Sequence, residues 1–192
     1  TKLSDYGIEK KILFSDQSRV QSLKEKYGNG KKLLGISWQG GAKGRRITDK
    51  SIDLFEMCKA IKKLDARCIS LQYGDDEAMV KKAVNQVGID LIDDPEIQAT
   101  KDMNAWLDQV DTCDAVISIA NTTIHGAGGL GKPTLCLLGR KPDWRWLTDK
   151  KATHSFWYPT VEIARQNTKT NDWSEALSSI ENWWYRICSG KI

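Results

Sequence analysis

Strands alternating with helices along 192 residues predict a doubly wound α/β domain. Three observations carry this expectation. Short apolar runs recur at residues 33–38, 66–71, 89–92, 115–119, 133–138 and 161–164, a length that suits buried parallel strands. The segments between most of them repeat their apolar residues at helical spacing. Residues 114–138 read as strand, polar turn, short helix and strand, which is a βαβ unit. The expected architecture is a Rossmann-like parallel sheet of about six strands with helices on both faces.

Bulk composition sets outer bounds. The chain is long enough for one good-sized core, with 40% hydrophobic and 28% charged residues. A net charge of +4, with its basic residues spread out, argues against nucleic acid. No apolar run reaches membrane-spanning length, and no signal peptide is expected. Cys58, Cys68, Cys113, Cys136 and Cys188 show no metal-ligand spacing and read as reduced thiols of a cytoplasmic protein. Two histidines make a histidine-rich metal site improbable.

In chain order, residues 1–31 read as a lead-in or connector. Within them, 18–27 suit one amphipathic helix with Val20, Leu23 and Tyr27 on a face, broken by Gly28-Asn29-Gly30. Residues 32–192 form the domain proper. Strand 33–38 runs into a glycine-rich loop containing Gly40, Gly41, Lys43, Arg45 and Arg46. Such a loop fits an anion cradle, or a merely solvated basic loop, and its spacing is not the dinucleotide fingerprint. A helix over 51–64, capped by Ser51 or Asp49, turns Ile52, Phe55, Cys58 and Ile61 inward. Strand 66–71 ends in Gln72, Tyr73, Gly74 and Asp75. A helix over 76–87, a short strand at 89–92 and a helix over 102–110 follow, the last with Met103, Trp106, Leu107 and Val110 on one face.

The central unit comes next. Strand 115–119 leads into Asn121, Thr122 and Thr123, which supply N-cap chemistry for a short helix. That helix starts at the carboxyl ends of the strands, where open α/β sheets bind ligands. Its first N–H groups lack intrahelical partners and favour phosphate. Gly126, Gly128 and Gly129 each cost the helix about 1 kcal/mol relative to alanine. Either a ligand or a neighbouring backbone approaches closely there, or the helix packs tightly on the sheet. Gly131 ends the helix and Pro133 opens the next strand.

Residues 139–159 form a long irregular stretch of the kind that is usually functional. It carries Arg145 between Trp144 and Trp146, then the run Phe156-Trp157-Tyr158-Pro159. After strand 161–164, Asp172 caps a final helix whose Trp173, Leu177, Ile180, Trp184 and Ile187 read as core, with Trp183 and Tyr185 on its outer side.

Laid out in this way, residues 32–187 resemble the C-terminal half of a GT-B glycosyltransferase of the heptosyltransferase type (glycosyltransferase family nine), in the branch linked to bacterial tetratricopeptide repeats. The carrying pieces are GISWQGG at 35–41 followed by Arg45-Arg46, SLQYGD at 70–75, DAVISIANTTIHGAGGLGKP at 114–133, DWRW at 143–146, FWYP at 156–159 and ARQ at 164–166. In the wider family the turn before the helix reads Asp-Thr-Gly or Asp-Thr-Ala. Here Ala120 takes the acidic position and Asn121 replaces the threonine. The tetratricopeptide-linked branch often has Asn-Thr-Thr.

The resemblance implies the half that binds a nucleotide-diphosphate sugar, inactive alone and without cofactor or metal. Its implied partner is an N-terminal acceptor domain carrying the catalytic base, or a tetratricopeptide-repeat region. Resemblance and local chemistry both assign the pyrophosphate to the backbone N–H groups of Thr122, Thr123 and Ile124 and the two threonine hydroxyls, with Asn121 as cap. Gly40, Gly41, Arg45 and Arg46 approach from the first loop. His125 contacts phosphate or a neighbouring loop. Gln72, Tyr73 and Asp75 meet nucleobase or ribose, or pack their loop. Arg145 contacts sugar or phosphate, or stacks between tryptophans. The competing functions are a non-catalytic nucleotide-binding module and an NAD-dependent oxidoreductase module, and the glycine spacing counts against the second.

Overall fold

The computed structural model describes residues 11–40, 50–74, 77–146, 151–170 and 172–191. In chain order the elements are α1 (Gln17–Tyr27), β1 (Lys32–Ser37), α2 (Leu54–Ile61), β2 (Ala66–Ser70), α3 (Glu77–Ala83), β3 (Leu91–Ile92), α4 (Met103–Thr112), β4 (Ala115–Ile119), α5 (Thr122–Gly129), β5 (Thr134–Leu138), β6 (Val161–Arg165) and α6 (Ser174–Cys188). The six strands form one parallel sheet in the order β3-β2-β1-β4-β5-β6. The expected Rossmann-like architecture is therefore present. The chain winds outward from β1 to β3, then returns to lay β4 on the other side of β1. The crevice at that reversal is where doubly wound sheets hold ligands.

Alternating strand residues feed two layers. Leu34, Ile36, Trp38, Ile117, Ile119 and Leu137 pack with residues of α2, α3 and α6. Leu33, Ile69 and Val116 pack on the opposite face with residues of α1, α4 and α5. α1 thus belongs to the packed body, because Val20, Leu23 and Tyr27 are buried against it. Tyr27 also donates to Asp94 at 2.5 Å.

Several local expectations change. Asp53, not Ser51, caps α2, accepting from the N–H groups of Phe55 and Glu56 at 2.9 and 3.2 Å. Asp49 lies outside the described residues. Met103 is exposed at the first position of α4, ahead of the buried Trp106 and Val110. Trp183 is buried, whereas its neighbour Tyr185 is exposed. The inward arc of α6 is wider than a narrow stripe and takes in both Trp183 and Trp184.

The three helix glycines have a packing reason. A Cβ on Gly126 would lie 2.9 Å from Trp106, one on Gly128 2.5 Å from Tyr158, and one on Gly129 2.6 Å from Leu13. Side chains from three directions press on α5, and the missing Cβ atoms let them in. Gly131 ends the helix at φ 73, a conformation glycine tolerates without strain.

Candidate functional site

The crevice is built from the carboxyl ends of β1 and β4. Each strand carries one serine in an apolar run, and Ser37 and Ser118 are register partners. Both are fully buried. Asn121, immediately beyond β4, ties them together. Its Nδ2 donates to Ser37 Oγ at 2.7 Å and to the Gln39 carbonyl at 3.2 Å. Its Oδ1 accepts from Ser118 Oγ at 3.0 Å and from the Thr123 N–H at 2.9 Å. One amide thereby caps α5 and fixes that helix to the end of β1.

Gln72 does the matching work from β2. Its Oε1 accepts from Ser37 Oγ, Trp38 N–H and Gln39 N–H at 3.0, 3.1 and 2.9 Å. Its Nε2 donates to the carbonyls of Gln39 and Tyr73 at 3.1 and 3.2 Å. The amide is spent on the chain itself, so Gln72 shapes the crevice floor. Tyr73 packs against the apolar cluster of α1 and α4, so its ring serves the loop-packing role. Gly40 donates its N–H to Ser51 Oγ at 3.3 Å, which brings the start of the glycine-rich loop to the crevice wall. Gly41, Arg45, Arg46 and Asp75 lie outside the described residues.

At the helix itself the expected donors divide. Thr123 and Ile124 are fully buried, and their N–H groups are taken by Asn121 Oδ1 and by its carbonyl at 3.3 Å. Thr122 is exposed, and among the described residues Asn121 does not take its N–H.

The opposite wall comes from residues 143–146 and 155–158. Arg145 sits 5.0 Å over the Trp144 ring, so the stacking contact forms with that one tryptophan. Asp143 pairs with Arg145 Nη1 at 3.3 Å and approaches Lys50 at 4.0 Å, linking this wall to the β1 side. Trp157 Nε1 donates to the Arg145 carbonyl at 2.7 Å, and Tyr158 Oη lies 3.1 Å from His125 Nδ1. Burial holds the His125 imidazole below its usual pKa, the Arg145 charge pushes the same way and Asp143 opposes it. His125 and Arg145 therefore share one electrostatic neighbourhood over the start of α5.

The crevice thus gathers Gly40, Gln72, Asn121, Thr122, His125 and Arg145. Ser37, Gln39, Ser118, Trp157 and Tyr158 were not singled out as functional residues beforehand. A serine near the end of each of two adjacent apolar strands was the available signal for the first and third. A separate cavity of about 590 Å³ lies between β6 and α6. Two charges on its lining, Arg186 and Glu162, pair with each other at 2.7 Å. Among the described residues no group of His, Cys, Asp and Glu gathers as metal ligands, and no helix is long and apolar enough to cross a membrane.

No family model matches the chain, and no curated protein sequence matches it. Solved structures do. A glycosyl transferase family 9 protein from Veillonella parvula DSM 2008 superposes with a TM-score of 0.59 at 14% identity, covering 98% of this chain and 56% of the other. The E. coli ADP-heptose lps heptosyltransferase II superposes with a TM-score of 0.67 at 10% identity, covering 94% and 54%. At these identities the likeness is one of fold, and the chain spans about half the length of each neighbour.

Proposed function

We propose that this chain is the nucleotide-diphosphate-sugar-binding half of a glycosyltransferase, heptosyltransferase-like, and that it transfers a glycosyl group when joined to an N-terminal acceptor domain. The observation that carries the reading is the start of α5, with Thr122 exposed and His125 held by Tyr158 within electrostatic reach of Arg145, in the crevice where the strand order reverses. The likeness to two glycosyltransferase folds supports it. The Thr122 N–H and the Arg145 guanidinium stabilise the charge that grows on the departing diphosphate as the bond from the anomeric carbon to the phosphate oxygen breaks. Gly41, Arg45 and Arg46 are proposed as further diphosphate contacts, on the anion-cradle chemistry of their loop and the resemblance, and Asp75 as a ribose contact. The acceptor and the base that activates it belong to the partner domain, and a cytoplasmic location with no resident cofactor or metal completes the proposal.

A thermal-shift screen tests it. The panel holds ADP, GDP, UDP and CDP, their glucose- and mannose-linked forms, and NAD. Stabilisation by one diphosphate series but not by NAD is expected. Stabilisation by NAD alone would overturn the reading in favour of an oxidoreductase module.

A further inference from the structure

We infer that Tyr158 is the positioning residue of His125, fixing the imidazole so that Nε2–H is the hydrogen offered to an anion in the crevice. Tyr158 is seated directly on α5, where the bare Cα of Gly128 leaves room for its ring. The two rings meet edge-on with centroids 5.8 Å apart, and Oη lies 3.1 Å from Nδ1. His125 Nδ1 is the partner of the Tyr158 hydroxyl among the described residues. A phenol donates more readily than it accepts, so its proton goes to Nδ1 and the ring proton of neutral His125 sits on Nε2. The reverse arrangement would leave the phenol proton without a partner among the described residues.

Among the described residues, Tyr158 touches His125, and Arg145 and Asp143 act on it electrostatically. Burial and the Arg145 charge, against the weaker pull of Asp143, disfavour the imidazolium and so favour the neutral ring in which the tautomer is defined. In the first turn of α5, Nε2–H is then a donor within electrostatic reach of the Arg145 guanidinium, which stays paired with Asp143, and an incoming anion can accept from it. That last step rests on the diphosphate reading. The hold of Tyr158 on His125 does not.

Tyr158→Phe removes the hydroxyl and keeps the ring over Gly128. The readout is nitrogen-15 NMR of the imidazoles, and the only other histidine, His154, serves as internal control. The wild-type chain should show His125 protonated on Nε2. In Tyr158→Phe the Nδ1 signal should move toward a tautomer mixture, with His154 unmoved. Inorganic pyrophosphate should bind Tyr158→Phe roughly 3- to 10-fold more weakly than wild type. A wild-type His125 protonated on Nδ1, or signals unchanged by the substitution, would overturn the inference. An Nε2–H tautomer in a wild-type chain that ignores pyrophosphate would overturn the diphosphate reading while leaving the role of Tyr158 intact.

Discussion

Asn121 and Ser37 stand 84 residues apart in the chain and are joined by a 2.7 Å hydrogen bond from Nδ2 to Oγ. Ser37 passes its own proton to Gln72 Oε1 at 3.0 Å, so three strands are locked at one end by a single line of donors. Asn121→Ala removes the cap of α5 and leaves Ser37 and the Gln39 carbonyl without their donor. The expected loss is about 2–4 kcal/mol in urea unfolding, the sum of a cap and of stranded buried groups. Thr122→Ala, one residue on and exposed, should cost under about 0.5 kcal/mol.

Gly128→Ala separates helix propensity from packing. Propensity alone would stabilise α5 by about 1 kcal/mol. The new Cβ would instead meet Tyr158 at 2.5 Å, so a net loss of about 1–3 kcal/mol is expected, read as a lowered Tm. A raised Tm would show that Tyr158 yields freely.

Arg145→Ala should weaken diphosphate binding by about tenfold or more, because a charged donor to phosphate is worth about 1.5–3 kcal/mol. Isothermal titration with the diphosphate selected by the thermal screen checks this. Trp157→Phe removes the bond from Nε1 to the Arg145 carbonyl and should weaken the same binding by a smaller factor.

Asp94 should set an acid limit on stability. Burial raises its pKa, but hydrogen bonds from Lys26 and Tyr27 outweigh that and hold the carboxyl below its usual range. A depressed native pKa contributes stability above the unfolded value of about 3.9 and loses it as pH falls toward the native one. The wild-type chain should therefore lose stability below about pH 4. Asp94→Asn should be less stable at pH 7 by about 1 kcal/mol or more and show a flatter acid limb in denaturant midpoints against pH.

Much of the fold was legible because its signals are local. The runs at 33–38, 115–119 and 133–138 are buried strands, as their unbroken apolar character implied. Asn121 is the cap of α5, as its place before the helix implied. Where two readings were locally equivalent, packing decided. Ser51 or Asp49 before α2 looked like a cap, yet Asp53 takes that role and Ser51 turns to Gly40. Trp183 and Trp184 are adjacent on α6, and only the width of the buried arc puts both inside.

The sequence by itself determined the element order, the parallel α/β class and the helix start that faces the crevice, because hydrophobic period and capping chemistry act over a few residues. Tertiary structure alone decided which distant side chains meet. The return of β4 to the free side of β1 sets Ser37 against Ser118 and Asn121. The path of residues 155–158 across α5 brings Tyr158 to His125 and leaves Gly128 bare for its ring. Such contacts depend on strand order and on the course of a long loop, and neither leaves a periodic mark in the residues that make them.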